Sequence, residues 1–187
     1  MKYRFYNRIV LITLLMLCSF SCSSDLNYDQ VNKFNAKPVV VANLAYFHAD
    51  APDFVVNGNE VPLPPYTGPV GFFDNSFVNQ NLIKAELNFR VKNTINRSFT
   101  IYITLKENDG TVVENIPISV EASVDGSEKL GYSDPSPFVF PESQIDLLKR
   151  TTQMTFEVNM DPGTPLTENS RGRIELSSSI TAYFDVK

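Results

Sequence analysis

Residues 173–186 alternate between apolar or small side chains and polar ones, and this regularity constrains the fold more than any other feature of the chain. A period of two places successive side chains on opposite faces of a β-strand, so that one face is buried and the other is exposed. Residues 85–92 and 99–106 repeat the pattern. The inward series expected in the last strand is Ile174, Leu176, Ser178, Ile180, Ala182, Phe184 and Val186. The alternation predicts antiparallel sheets, each with one face on a common core.

Turn signals separate the predicted strands. Asn108-Asp109-Gly110 is a strong hairpin signal between the strand at 99–106 and a return strand at 111–120. Pro117 has no backbone N–H, and it therefore indicates that the return strand lies at a sheet edge or contains a bulge. Further strands are expected at residues 38–47, 128–132 and 153–160. Seven or eight strands in this arrangement predict an all-β fold, an antiparallel immunoglobulin/fibronectin-III-like β-sandwich, with a barrel as the alternative.

One segment shows helical rather than strand periodicity. Residues 142–150 follow Pro141 and carry Ile145 and Leu148 as an apolar stripe. The segment ends in Lys149-Arg150, and these charges suit the C-terminal end of the helix dipole. We therefore expect one short helix that crosses between the two sheets.

The segment from 48 to 82 departs from the alternation because five prolines interrupt it. We expect a long surface excursion there, with a short strand at 71–78. Long loops in compact domains are uncommon unless they are functional or disordered. Aromatic side chains in loops often anchor interfaces, and alternatively such rings pack a loop onto its domain. The candidate partner-binding residues are Tyr66, Phe72, Phe73 and Phe77.

The N-terminal residues have the pattern of an export signal. Three basic residues precede an uncharged stretch, residues 9–21, which is too short to span a bilayer. Ser19-Phe20-Ser21-Cys22 resembles a bacterial lipobox, in the looser form that lacks an aliphatic residue three positions before the cysteine. The resemblance implies that the leader is cleaved before Cys22 and that the Cys22 thiol is acylated. The alternative is an ordinary signal peptide whose removal leaves Cys22 as a free thiol.

The order of leader, cysteine, short tether and single β-domain resembles the lipoproteins of Gram-negative outer membranes. On this resemblance the chain comprises a signal peptide (1–21), a tether (22–35) and a β-sandwich domain (36–187). The implied location is the bacterial outer membrane, with a lipid anchor and the domain on the periplasmic face or the cell surface. Residues 93–99, of the form N-x-x-N-R-x-F, are similar to corners that join two core strands in exported bacterial sandwiches.

The composition excludes several chemistries. The leader and the lipid site account for both cysteines, and the one histidine, His48, is expected at the surface near a strand end. A Ser-His-Asp triad, a thiolate nucleophile and a zinc cluster therefore lack their residues, and no cofactor is expected. Four loop aspartates leave calcium binding open as an alternative to a plain role in turns. These are Asp109, Asp125, Asp134 and Asp161.

The charge balance excludes a nucleic-acid partner. The chain has a formal net charge of −5, which becomes more negative when the leader is removed, and it has no basic stripe to displace counterions. We therefore expect a non-catalytic envelope lipoprotein that is attached to the membrane by its N-terminal lipid and binds or braces a protein or glycan partner. The alternative is a hydrolase of envelope or extracellular polymers that works with carboxylates alone.

Overall fold

The computed structural model describes residues 36–186, so the predicted leader, the tether and Cys22 lie outside the described residues. The described part contains eleven strands: β1 Val39–Asp50, β2 Val55–Val56, β3 Asn59–Glu60, β4 Tyr66–Pro69, β5 Leu82–Asn93, β6 Phe99–Lys106, β7 Val112–Val120, β8 Lys129–Tyr132, β9 Phe138–Phe140, β10 Gln153–Met160 and β11 Arg173–Phe184. It also contains two short α-helices, α1 Ser76–Asn81 and α2 Ile145–Lys149, and 3₁₀ helices at Ala51–Phe54, Gly71–Asp74 and Glu142–Gln144.

The strands form two antiparallel sheets and one small hairpin. The first sheet has the order β1-β11-β5-β8, with β9 pairing farther along β5, and the second has the order β4-β10-β6-β7. Strands β2 and β3 form the hairpin. The inner faces of the two sheets enclose one hydrophobic core. The predicted all-β, antiparallel β-sandwich is therefore confirmed.

The partners within the sheets are nested along the chain. The first strand pairs with the last (β1 with β11), and inside this pair β4 pairs with β10, β5 with β8, and β6 with β7. Such nesting describes one long antiparallel ribbon of eight strands that is folded over into two layers, and β9 adds a fifth strand to the first layer. This is the strand order of an eight-stranded jelly roll, which is also an antiparallel sandwich but differs from the immunoglobulin/fibronectin-III-like order expected from the sequence, because the first strand pairs with the last.

The strong alternating segments fold as the sequence predicts. Strand β11 buries its even-numbered side chains and turns its odd-numbered ones outward, and β6 and the part of β5 from Ala85 on bury their odd-numbered ones. The β6–β7 hairpin turns at Gly110, whose φ of +88° favours glycine. Strand β7, which contains Pro117, lies at the edge of its sheet, where a missing N–H removes no interior ladder bond.

The segment 48–82 is more structured than the sequence predicts. The expected strand at 71–78 is wrong, because these residues form a 3₁₀ helix followed by the start of α1. The Asn75 side chain accepts a hydrogen bond from the Phe77 backbone N–H at 2.8 Å and so caps α1 at its N-terminus. Several side chains of the segment lie in the core, among them Phe54, Val55, Val70, Phe73 and Val78.

The predicted crossing helix is confirmed and is shorter than expected. Residues 142–144 form a 3₁₀ turn, and α2 follows directly. The helix joins β9 in the first sheet to β10 in the second. Ile145 and Leu148 are both buried, and they fix the helix against the core.

The Asn-rich corner between β5 and β6 is held by one buried amide. The Asn93 side chain donates to the carbonyl oxygens of Arg97 (2.7 Å) and Glu121 (2.8 Å), and its oxygen accepts from the Ile95 N–H (2.8 Å). Asn93 has no exposed surface. One side chain thus satisfies three backbone groups that would otherwise be buried without partners.

A second polar contact ties the excursion to this corner. The Arg97 side chain is 8% exposed, and its Nη2 lies 3.4 Å from Oε2 of Glu60, the last residue of β3. Glu60 Oε1 in turn accepts the Leu166 N–H at 2.7 Å, and Arg97 Nη1 donates to the Thr164 carbonyl oxygen at 2.8 Å. The excursion is therefore joined to the sandwich by ionic and backbone contacts as well as by apolar burial.

We expect residues 36–187 to fold on their own, without metal, as a mostly β domain, because the core is contiguous and these residues include no cysteine that a disulfide would need. Circular dichroism of this fragment should show a β-type spectrum whose thermal transition is unchanged by EDTA. A dominantly helical spectrum would contradict the fold, and a large loss of thermal stability in EDTA would favour bound calcium.

Candidate ligand-binding groove

The outer face of the first sheet carries a polar depression, which we call the outer groove. Its volume is about 370 Å³. The lining residues come from β1, β5, β8 and β11 and from the loop after β8. They are Asn43, Asn88, Phe89, Arg90, Tyr132, Ser136, Ser177, Ser178 and Ser179. A second depression of about 430 Å³ shares Asn43, Ser177 and Ser178 and continues the groove toward Tyr46.

The groove follows β11 because that interior strand carries small side chains there. Ser177 and Ser179 face outward between larger neighbours on β1 and β5. Ser177 lies between Tyr46 and Arg90 in the strand register, and Ser179 lies between Asn43 and Asn88. Two serines in the middle of a sheet face thus leave a trough that the flanking side chains border.

A β-bulge shapes one side of the outer groove. The pairing of β1 with β11 shifts register between Asn43 and Ala45, so that Leu44 is the extra residue. The buried Ser178 hydroxyl accepts the Ala45 N–H at 2.9 Å and donates to the Ala45 carbonyl oxygen at 3.1 Å. The bulge is therefore filled by a specific polar contact, and a bulge of this kind bends the strand that carries the extra residue.

A gap in strand pairing opens the other side. Strand β8 pairs with Arg90–Asn93 of β5 and β9 pairs with Ala85–Leu87, so neither covers Asn88 and Phe89. The intervening loop, residues 133–137, contains Ser136, which lines the groove at this gap.

One cross-strand row runs over the whole width of the sheet. Tyr46 pairs with Ser177, Ser177 with Arg90, and Arg90 with Tyr132. The two tyrosines are 62% and 50% exposed and stand at opposite ends of the row. Because neighbouring strands are spaced about 4.8 Å apart, their backbones are about 14 Å apart.

The charges around the outer groove are mostly paired. The Lys84 ammonium lies 2.6 Å from a Glu86 oxygen, and this hydrogen bond lowers the pKa of Glu86 below its usual value. The Lys92 ammonium lies 2.7 Å from Glu128, and that hydrogen bond raises the pKa of Lys92. Arg90 is exposed and, within residues 36–186, forms no salt bridge. The guanidinium is thus the free charge of the groove lining.

The structure separates the aromatic residues that the sequence marks as partner-binding candidates. Phe73 is buried and contacts Phe72 edge-on, with ring centroids 5.3 Å apart. Tyr66 is exposed on β4 and stacks on Phe156, whereas Phe77 is half-exposed and packs on Phe184. Phe73 therefore packs the excursion onto the core, and partner binding by Tyr66, Phe72 and Phe77 stays a prediction.

Two of the four loop aspartates act within their own turns, whereas Asp161 contacts β6. Asp109 accepts the Thr111 N–H at 2.9 Å, and Asp125 accepts the N–H and hydroxyl of Ser127. Asp161 accepts the Thr100 hydroxyl at 3.1 Å. Across residues 36–186, no three His, Cys, Asp or Glu side chains are grouped so that they could hold a metal ion. His48 lies on the exposed face of β1 near its end, as predicted.

Sequence reasoning missed the outer groove. The alternation places Asn88, Arg90, Ser177 and Ser179 on the solvent face of ordinary strands, and this is correct when each strand is considered alone. The available signal was the run Ser177-Ser178-Ser179 in the middle of a strand, since serine is uncommon in an interior strand unless small side chains are needed there.

No protein-family model matches the chain, and no curated protein matches its sequence. Among solved structures, it is similar to that of infectious bursal disease virus, Gx strain, with 13% identity and a TM-score of 0.37 over 82% of this chain and 37% of that one. It is also similar to that of turnip yellow mosaic virus, with 9% identity and a TM-score of 0.31 over 82% and 95%. The chain spans little more than a third of the bursal disease virus protein. These likenesses are too distant to assign a family or an activity.

Proposed function

We propose that the chain is a non-catalytic binding module of the bacterial outer membrane, held there by a lipid on Cys22, and that the outer groove binds part of a protein or glycan partner. The observation that carries the proposal is the cross-strand row from Tyr46 to Tyr132. It places two exposed rings and a free guanidinium beside a trough of amides and hydroxyls. Concave sites with a few convergent polar groups are typical of ligand recognition.

The chemistry of the outer groove favours binding over catalysis. The residues that line it include no Asp, Glu, His or Cys, so the groove holds no general acid, general base or metal ligand of the usual kinds. The alternative hydrolase would need carboxylates elsewhere. Glu121 and Asp161 line a separate depression of about 520 Å³ at the β7/β8 edge, and this is where Glu121→Gln and Asp161→Asn would test it.

The test compares two tryptophan variants on opposite outer faces. Ser177→Trp should fill the outer groove, whereas Thr104→Trp places the same side chain on the outer face of the second sheet, also on an interior strand. Full-length protein, processed in a bacterial host and purified in detergent, is immobilised and exposed to envelope extract. Ser177→Trp should lose the protein or polysaccharide that the parent and Thr104→Trp both retain. Equal retention by all three would contradict a role for the groove.

We expect Cys22→Ala to release the protein from the membrane. The reason is that the acyl chains would supply the attachment, at about 0.8 kcal/mol for each buried methylene. No helix between residues 36 and 186 has the length and apolar character needed to cross a bilayer. Cell fractionation with mass spectrometry of the N-terminus checks the prediction. It is wrong if the variant stays in the membrane fraction and is cut at the same bond as the parent.

A further inference from the structure

We infer that the outer groove binds an acidic glycan, with Arg90 holding a sugar carboxylate and Tyr46 and Tyr132 contacting sugar rings on either side. The inference rests on the proposed function and names the ligand class of the same groove. Three features support it: the one free charge of the lining, the neutral hydrogen-bonding groups of the lining, and two exposed rings, Tyr132 in the lining and Tyr46 in the depression that continues it.

Arg90 defines the charge that the ligand must carry. The two lysines nearest to it along β5 are each held by a glutamate, but Arg90 forms no salt bridge within the described residues. A planar guanidinium donates two parallel hydrogen bonds to a carboxylate, a geometry that a lysine does not offer. The chain as a whole is acidic, so a free arginine in a groove is a local exception that favours an anionic group.

The neutral lining matches sugar hydroxyls. Asn43, Ser179 and Asn88 form a second cross-strand row beside the first. Asparagine amides and serine hydroxyls both donate and accept hydrogen bonds. A sugar hydroxyl does the same, so this row suits a ligand with several hydroxyls better than one with apolar anchors.

The two tyrosines set the length of the ligand. Their rings offer apolar faces that suit the C–H face of a sugar, while each hydroxyl stays in water. A separation of about 14 Å between their backbones is longer than one sugar ring. The arrangement therefore suits an oligosaccharide or a segment of a polysaccharide rather than a monosaccharide.

The position of the outer groove disfavours a peptide strand as its occupant. Peptides that extend a sheet bind at its edge, where backbone groups are unpaired. The groove lies on the face of the sheet over β11, whose backbone already pairs with β1 and β5 on both sides. Recognition here must use side chains, and these are predominantly polar.

The test measures affinity for a labelled oligogalacturonate and for its methyl ester, which has the same sugars without the charge. Full-length processed protein in detergent is titrated by fluorescence anisotropy. The parent should bind the acid and bind the ester at least about tenfold more weakly. Arg90→Gln should weaken binding of the acid by about 10- to 150-fold, since hydrogen bonds to charged groups are lost. The affinity of Arg90→Lys for the acid should lie between those of the parent and Arg90→Gln, because lysine keeps the positive charge but cannot donate two parallel hydrogen bonds.

Arg171→Gln is the matched control, because Arg171 is exposed in the loop before β11 and does not line the groove. It should bind like the parent. Tyr132→Ala should weaken binding of acid and ester alike, and circular dichroism verifies that each variant is folded. If the parent binds acid and ester equally well and Ser177→Trp binds neither, the preference for an acidic ligand is wrong. The groove would then be a binding site for neutral glycans.

Two further outcomes separate this inference from the proposed function. If neither sugar binds but Ser177→Trp still loses an envelope protein, the glycan is wrong and the binding groove stands. If neither sugar binds and Ser177→Trp retains every partner, the inference and the proposed function both fail. Binding of the acid that Arg90→Gln leaves unchanged would overturn the role of Arg90.

Discussion

Replacing Asn93 by Ala is expected to lower the free energy of unfolding of residues 36–187 by about 3–5 kcal/mol. The side chain is fully buried and makes three hydrogen bonds of 2.7–2.8 Å to backbone groups of the β5–β6 corner and of the chain after β7. Alanine would leave two carbonyl oxygens and one N–H buried without partners. Each such orphaned group costs about 1–3 kcal/mol, and partial entry of water offsets some of the sum.

Asn96 provides a control of the same residue type in the same corner. It is exposed, and Asn96→Ala should change the free energy of unfolding by less than about 0.5 kcal/mol. Urea denaturation of both variants and the parent gives the comparison. A loss below about 1 kcal/mol for Asn93→Ala would mean that the buried amide does not hold the corner.

Replacing Phe73 by Ala is expected to cost about 3–5 kcal/mol. The ring is 3% exposed and belongs to the main core, although the segment around it has the composition of a loop. Phe77, four residues on, is 43% exposed and packs on one side only, so Phe77→Ala should cost about 1 kcal/mol. The pair is measured by urea denaturation.

The same pair of variants tests the two interpretations of the aromatic excursion. A large loss of stability at Phe73 and a small one at Phe77 is expected if the excursion is packed as part of the domain. Small losses of stability at both positions would contradict that packing. They would favour the alternative, in which the aromatic residues of the excursion form a contact surface for a partner.

The alternation was sufficient to predict the long strands, because period-2 patterns report local burial. The predicted limits of β6 and β10 are the observed ones, and β11 ends two residues before its predicted end. The short strands β2, β3, β4 and β9 have two to four residues each, too few to show a period. The wrongly predicted strand at 71–78 has a similar origin. Closely spaced phenylalanines resemble the apolar run of a buried strand, whereas the Asn75 side chain caps a helix that begins at Ser76.

The strand order could not be predicted from the same pattern. Strand β1 pairs with β11 from the opposite end of the chain, and alternation indicates which face is buried but not which strands are neighbours. The outer groove depends on these neighbours. Its residues come from four strands, and it needs the bulge at Leu44 and the unpaired stretch at Asn88 and Phe89, none of which has a local signature.

The most direct test of the account is to map the bound ligand on the domain by nuclear magnetic resonance. Isotope-labelled residues 36–187 are titrated with oligogalacturonate, and backbone amide shifts are followed residue by residue. The account predicts that the perturbed amides cluster on the outer face of the first sheet, around Asn43, Asn88, Arg90 and Ser177. Perturbations confined to the excursion between Pro52 and Phe77, or an unchanged spectrum at millimolar sugar, would contradict it.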